Sequence, residues 1–155
     1  MKEEKLRQAL EGCRLPAWES IPDFGLYMDQ LLTYTERALP SFSGLTAAMI
    51  NNYVKAGIMN RPEGKKYSRE AIARLLMICV LKQTLSQENI KKLLYPAENR
   101  EAEALYHDFR AAQDRMVGLF ASRAPESALT CALESAFQHL ICGMMLAEEG
   151  TGGET

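Results

Sequence analysis

Three hydroxyl residues, each standing before an apolar stripe of helical spacing, constrain the middle of this chain more than any other feature. A hydroxyl in this position caps a helix by accepting a hydrogen bond from a free backbone N–H of the first turn. The three residues are Thr46, Ser68 and Ser86, and the stripes that follow them are Met49, Ile50, Tyr53 and Val54, then Ile72, Leu75, Leu76 and Cys79, then Ile90, Leu93 and Leu94. The segment from Thr46 to Leu94 is therefore predicted to form three helices.

The connection between the first two of these helices predicts a turn and a small β-hairpin. Gly57 can take the left-handed conformation that ends many helices. Arg61-Pro62-Glu63-Gly64 has the composition of a turn. On its two sides, Ile58-Met59 and Lys65-Lys66-Tyr67 are short extended pieces that could pair. We expect this hairpin to stand out from the helices as a wing.

The remaining segments are also mainly helical in pattern. Leu26 to Leu39 predicts a long helix that Pro40 ends, and Met1 to Gly12 predicts a frayed lead-in with few apolar anchors. Between them, the segment around Trp18 contains two prolines and predicts a packed loop. We expect a domain over residues 13–96, a C-terminal arm of two helices over 97–148, and a flexible tail over 149–155.

The arm carries the apolar pattern of helices that pack against other helices. Its first helix has apolar residues at spacings of three and four, and its last helix, Glu126 to Glu148, is apolar around most of its circumference. A helix of this kind must be buried on several sides, and a pair of helices cannot cover it. A second copy of the chain would do so, so we expect a homodimer.

Positive charge is concentrated in the same segment as the capped helices. The whole chain has a formal net charge of −2. Between Met49 and Lys92 it has nine basic residues against three acidic ones, a local excess of six. The basic residues are Lys55, Arg61, Lys65, Lys66, Arg69, Arg74, Lys82, Lys91 and Lys92. By itself this pattern fits a phosphate-binding surface and a solvated basic face equally well.

Several other classes of protein find no support in the residues. The sequence has no nucleophile with a partner base, no phosphate-binding glycine loop and no metalloprotease motif, so we expect neither an enzyme nor a cofactor. Cys131 and Cys142 lie roughly 16 Å apart along one helix, too far to share a metal ion within one chain. His107 is expected to form a solvated pair with Asp108.

The membrane is also not expected as a partner. The longest mostly apolar run, Leu75 to Leu81, is far shorter than the roughly 18 residues of a membrane span, and the charged N-terminus lacks the core of a signal peptide. A cytoplasmic protein is the resulting expectation.

Several motifs resemble those of known regulators. Leu45 to Ile58, Gly64 to Ser68 and Leu85 to Ile90 resemble the second helix, the wing and the next helix start of the mercury-resistance-regulator (MerR) family. A closer resemblance is to a bacterial MerR-like group, domain-of-unknown-function family 1836. The motifs that carry it are Leu15-Pro16-x-Trp18, Leu26 to Gln30, Met49 to Lys55 and Lys65 to Ser68. The resemblance runs from about Leu15 to Leu94 and implies a mainly α fold, a winged helix-turn-helix with a small β-hairpin wing and a C-terminal helical arm.

The resemblance also implies which side chains would contact double-stranded DNA. The exposed front of the recognition helix would contain Thr46, Ala47, Ala48, Asn51 and Asn52, while Lys55, Arg61, Lys65 and Lys66 would contact phosphates. Asparagine can bond adenine with both of its amide atoms. At Asn51 many MerR members carry arginine, and before Leu45 a longer helix replaces their compact first helix. The expected function is a DNA-binding transcription regulator, and the alternative is a protein-interaction module that kept the fold without binding DNA.

Overall fold

The computed structural model describes residues 3–42, 44–96 and 100–151, and within these ranges it is helical with no regular strand. Its helices are α1 (Glu3–Glu11), α2 (Met28–Ala38), α3 (Ala47–Lys55), α4 (Arg69–Leu81), α5 (Gln87–Leu94), α6 (Ala102–Ser122) and α7 (Ala128–Thr151), with short 3₁₀ turns at Trp18–Ser20 and Pro40–Phe42. The chain divides into two compact units, Met1–Ser122 and Arg123–Thr155. The mainly helical fold expected from the sequence is thus confirmed.

The three predicted helix caps are present. Thr46 Oγ1 accepts a hydrogen bond from the Met49 N–H at 3.2 Å. Ser68 Oγ accepts from Ala71 at 3.3 Å, and Ser86 Oγ accepts from Asn89 at 3.2 Å. Because such a side chain satisfies an amide that has no partner inside the helix, each hydroxyl fixes where its helix begins.

Helix α4 forms the centre of the first unit. Its residues from Ala71 to Cys79 are all buried, so α4 is enclosed by other elements on every side. Core side chains also come from the surrounding elements, among them Leu31, Ile50, Tyr53, Ile58, Ile90, Leu94 and Tyr106. One charged residue lies in this core: Arg74 Nη1 donates a hydrogen bond to the Leu94 carbonyl at 2.7 Å, and its guanidinium lies 4.1 Å from the centre of the Tyr95 ring.

The N-terminal segment is not the frayed lead-in that the sequence predicted. Helix α1 packs against α6. The segment that follows is held by Gln113, whose Oε1 accepts from the Leu15 N–H at 2.9 Å and whose Nε2 donates to the Cys13 carbonyl at 3.1 Å. Tyr106 donates to the Pro16 carbonyl at 2.6 Å. The prediction for residues 1–12 failed because α1 packs on a helix that is far away in sequence.

Helix α6 belongs to the first unit, whereas the sequence suggested an arm that begins at residue 97. It packs against α1, α4 and the 3₁₀ turn at Trp18–Ser20. The predicted boundary falls at residues 97–99, which lie outside the described ranges. The structural division of the chain comes later, between Ser122 and Arg123.

The predicted pairing of Ile58-Met59 with Lys65-Lys66-Tyr67 is absent from the described residues. Ile58 and Met59 are buried in the core, and the Ile58 N–H donates back to the Tyr53 carbonyl at 3.1 Å. Two isolated bridges form instead, Glu63 with Lys66 and Leu26 with Tyr67. Burial of the apolar pair thus decided the backbone path here.

The second unit consists mainly of α7. The helix continues through Thr151, so residues 149–151 are not part of a flexible tail, and 152–155 lie outside the described residues. Ala128–Gly150 is long and apolar enough to cross a membrane. The expectation that no stretch reaches the length of a span was therefore wrong, because a longer stretch with isolated polar residues is apolar enough on average.

Candidate nucleic-acid interface

The exposed side of α3 collects most of the residues expected to read DNA. At roughly 100° per residue, positions 47, 48, 51, 52 and 55 fall within an arc of about 140°. Ala48, Asn51, Asn52 and Lys55 are exposed on this arc, and Ala47 is half-buried. Ile50 and Tyr53 are buried on the other side, so one helix face is committed to the core and the other is free for a ligand.

Thr46 stands at the N-terminal end of this arc and is exposed. Its oxygen is already used by the Met49 N–H, as described above. A threonine hydroxyl is also a donor, so its hydrogen remains available for a phosphate oxygen. Two tyrosines near these elements are core residues: Tyr53 in α3 and Tyr67 just before α4. Burial raises the pKa of both phenols.

A tight turn presents two lysines, Lys65 and Lys66. The Glu63 N–H donates to the Lys66 carbonyl at 2.8 Å, and the Lys66 N–H donates to the Glu63 carbonyl at 3.0 Å. Between them, Gly64 has φ of 55° and Lys65 has φ of 67°. Positive φ at both central residues is the geometry of a type I′ turn, which favours glycine, asparagine and aspartate.

Lys65 is the one non-glycine residue with positive φ in the described part of the chain. A side chain in this conformation costs about 1–2 kcal/mol, because its Cβ crowds the following carbonyl oxygen. Strained residues of this kind cluster at functional sites. The strain therefore draws attention to the tip of this turn, where the sequence had already suggested a phosphate contact.

The base of the turn is anchored to the segment before α2. Tyr67 and Leu26 exchange two backbone hydrogen bonds. Gly25, which precedes Leu26, has a positive φ of 78°, and a Cβ added to it would lie 3.0 Å from Lys66 Cβ. Lys66 Nζ lies 5.2 Å from the centre of the Tyr27 ring, within range of a cation–π contact. Lys66 is thus held close to the body of the unit by contacts on one side.

Four arginines in the described part of the chain form ion pairs with carboxylates, whereas other cations, Lys5, Lys82 and Arg115 among them, form none. Arg7, Arg14, Arg69 and Arg100 each form an ion pair with a carboxylate. Lys55, Arg61, Lys65 and Lys66 form none with the residues that the structure describes, and all four are exposed. Their charge is therefore available to an anionic partner.

One further lysine, Lys91, lies at a position that the sequence did not predict. Lys91 of α5 reaches the C-terminal end of α3, where its Nζ would lie 3.3 Å from a Cβ added at Gly57. A cation there interacts favourably with the negative end of the helix dipole. The sequence predicts only that Lys91 adds to the general positive charge, because its proximity to α3 depends on how α5 packs.

A separate polar group lies at the start of α6. Ligand atoms of Glu19, Glu103 and His107 lie within 4.8 Å of one another, an arrangement that can hold a metal ion, and all three residues are exposed. His107 Nε2 lies 3.6 Å from Glu103 Oε1, while Asp108 pairs with Arg100. The expected pairing of His107 with Asp108 was therefore wrong, because carboxylates one turn away or on another segment are better placed than the adjacent residue. Exposed groups of this kind are common without an ion, and no role is assigned to them.

The candidate interface lies within a segment of the chain that matches a family model. The family model described as Domain of unknown function (DUF1836) matches residues 16–109, more than half of the chain. The chain belongs to this family. Neither curated proteins nor solved structures give a match. The DUF1836 range contains α2 to α5 and every residue of the candidate interface, whereas α7 lies outside it.

Proposed function

We propose that the chain is a DNA-binding transcription regulator of the winged helix-turn-helix type, distantly related to the MerR regulators. Helix α3 would enter the major groove, and the turn from Glu63 to Lys66 would lie on the flanking backbone as a small wing. One observation carries the proposal: Lys55 on the exposed arc of α3, and Lys65 and Lys66 on the tight turn, are exposed cations that form no ion pair with the described residues.

The two groups of residues would have different tasks. Lys55, Arg61, Lys65 and Lys66 would neutralise phosphates, which supplies affinity and position without reading sequence. Asn51 and Asn52 are exposed on the face that would meet the base edges, and an asparagine amide can both accept from and donate to adenine. The small side chains of Ala47 and Ala48 would allow the helix to approach closely.

A regulator of this type would work as a homodimer in the cytoplasm. Two copies related by a two-fold axis would bring two α3 helices to neighbouring turns of a near-palindromic site. A bacterial regulator must meet its promoter in the cytoplasm, so this location is part of the proposal.

The test begins with selection of bound fragments from genomic DNA and continues with the affinity for a selected duplex at increasing salt. We expect log K to fall steeply with log salt, by about 0.9 per phosphate contact. The double variant Lys65→Gln, Lys66→Gln should reduce that slope by about two. Lys5→Gln removes an exposed charge from α1 and serves as the control, with an unchanged slope.

The asparagines should behave differently from the lysines. Asn51→Ala and Asn52→Ala are expected to reduce the preference for the selected duplex over an unrelated one, with little change in the salt slope. A chain that binds no duplex even at low salt would contradict the proposal. Equal effects of the lysine and control variants would remove the turn from the interface.

A protein-interaction module is the second candidate, and two exposed aromatic residues favour it. Phe24 is 73% exposed and Tyr27 is 45% exposed, both next to the segment that anchors the basic turn. Large aromatic side chains are enriched at protein interfaces. Phe24→Ala should leave duplex affinity unchanged if DNA is the partner. It should weaken capture of a protein partner if this second function is the correct one.

A further inference from the structure

Helix α7 exposes a continuous apolar face. Its residues fall at positions a, d and e of a seven-residue repeat, and every one of them is exposed and lacks a polar side chain. We call this face the α7 seam; it comprises Leu129, Leu133, Ala136, Phe137, Leu140, Gly143, Met144 and Ala147. We propose that the α7 seam is covered by the α7 seam of a second copy of the chain, running antiparallel.

The exposed apolar area of the α7 seam is large enough to form most of a protein interface. The five large side chains of the seam are between 50% and 71% exposed. At roughly 100 Å² for each of these side chains, covering them would bury on the order of 500 Å² per chain, to which the small residues of the seam add. A standard stable interface buries about 800 Å² per partner. A second α7 therefore offers most of the area that a dimer needs.

A lipid bilayer is a poorer occupant of this face. The helix has the length and apolar content for a span, but Gln138 and His139 lie in its middle third and Glu134 lies just before it. Polar and ionisable side chains within a spanning helix are costly and therefore rare. Lying on the surface is also unfavourable, because residues 124–155 contain acidic but no lysine or arginine side chains to attract anionic lipids.

Charge favours the antiparallel orientation. Glu148 and Glu149 lie near the C-terminal end of α7, and Arg123 precedes its N-terminal end. Parallel helices would bring four acidic side chains together at one end. Antiparallel helices would instead bring each acidic pair to the positive end of the partner's helix dipole, where the charges of the partner's Arg123 and the partner's Glu126 cancel.

Side-chain size agrees with this orientation. If the two helices cross near residue 138, Leu129 faces the partner's Ala147, Leu133 faces the partner's Gly143, and Leu140 faces the partner's Ala136. A large residue then meets a small one in every layer of a and d positions, which allows the two backbones to approach closely.

The first test measures the mass of the full chain in solution by sedimentation at tens of micromolar. We expect a dimer of twice the chain mass of 17.4 kDa. Leu133→Glu with Leu140→Glu should convert it to a monomer, because the pair would bury charges in the interface. Gln138→Glu, which adds charge outside the seam, is the matched control and should remain a dimer. Native Trp18 emission would show that the first unit is still folded in each variant.

The second test determines the orientation. Leu129→Cys and Ala147→Cys are introduced together in a chain with Cys13, Cys131 and Cys142 replaced by serine, and the oxidised peptides are identified by mass spectrometry. Antiparallel pairing gives disulfides between positions 129 and 147 of different chains. Disulfides joining 129 to 129 and 147 to 147 would overturn the orientation.

Two results would overturn the α7 dimer itself. One is a wild-type chain that is monomeric at tens of micromolar. The other is flotation of the wild-type chain with vesicles of phosphatidylglycerol and phosphatidylethanolamine that is lost in the Leu133→Glu, Leu140→Glu variant. DNA binding and dimerisation fail separately, because the lysine variants should remain dimeric and the seam variants keep the whole basic turn.

Discussion

Leu26 and Tyr67 exchange two backbone hydrogen bonds, with N···O distances of 3.0 and 2.8 Å, and both residues are buried. Leu26 precedes α2 and Tyr67 precedes the cap of α4, so the pair ties the basic turn to two parts of the core at once. The tip of the turn, by contrast, is exposed from Arg61 to Lys66. Substitutions at the tip should therefore alter binding without disturbing the fold.

Lys65→Asn separates stability from function. Asparagine tolerates positive φ better than lysine, so relief of strain should raise the free energy of unfolding by about 0.5–1 kcal/mol. The lost charge should weaken duplex binding at the same time. Urea unfolding and duplex affinity measured on one preparation would check both effects. Lys66→Asn is the control, because Lys66 lacks a positive φ and a change there should give no gain in stability. A gain for both variants would show that the backbone strain is not the cause.

Arg74 should be far more important for stability than its surface counterparts. Arg74→Met removes the donor to the Leu94 carbonyl, and a hydrogen bond from a charged group is worth about 1.5–3 kcal/mol. Arg74→Ala should cost more, by about 1–2 kcal/mol, because it also leaves a cavity. Urea unfolding would rank the two variants against Arg115→Met, which changes an exposed arginine of α6. Equal stability of all three would mean that the Leu94 contact contributes nothing.

Gln113 tests whether α6 is part of the first unit. Gln113→Ala removes the acceptor for the Leu15 N–H and the donor to the Cys13 carbonyl, so we expect a loss of about 2 kcal/mol in the free energy of unfolding. Trp18 emission is a suitable probe, because its ring lies 5.7 Å from that of Tyr106 on α6. Gln8→Ala removes an exposed contact with Glu4 and should cost less than about 0.5 kcal/mol. Similar losses for the two variants would contradict the docking of α6 on this segment.

The buried thiol of Cys79 should lower the free energy of unfolding at alkaline pH. Burial raises the pKa of its thiol to about 11, despite the opposing effect of Lys82. The unfolded thiol loses its proton first as pH rises, so the unfolded state then binds fewer protons and the free energy of unfolding falls. This contribution to the free energy of unfolding is complete below the unfolded pKa and is lost between about pH 9 and 11, amounting to about 3 kcal/mol.

The measurement is urea unfolding at several pH values for Cys79→Ala and the wild-type chain. The variant should show a shallower fall above pH 9, although burial also raises the pKa of Tyr34, Tyr53, Tyr67, Tyr95 and Tyr106, and these groups maintain part of the slope. Cys131 is exposed, so Cys131→Ala should leave the pH dependence unchanged. An identical slope in Cys79→Ala would contradict the prediction.

Structure could be predicted from the sequence where the interacting residues are close along the chain. A cap bonds an amide three residues ahead, so Thr46, Ser68 and Ser86 could be identified as helix starts from sequence. The exposed face of α3 could be identified for the same reason, since the helical period separates Asn51 and Asn52 from Ile50 and Tyr53. The turn of Lys65 was also predictable, but its positive φ was not, because lysine does not favour that conformation.

The sequence alone therefore determined the helices, their caps and the basic, exposed character of the candidate interface, because these depend on contacts within one turn of helix and on composition. Only the tertiary structure decided that Gln113 holds the chain at Cys13 and Leu15, that Leu26 anchors Tyr67, and that Lys91 reaches the end of α3. Each of these contacts joins residues on different elements. Their partners are selected by how the apolar faces pack around α4, and no periodicity in the sequence specifies that packing.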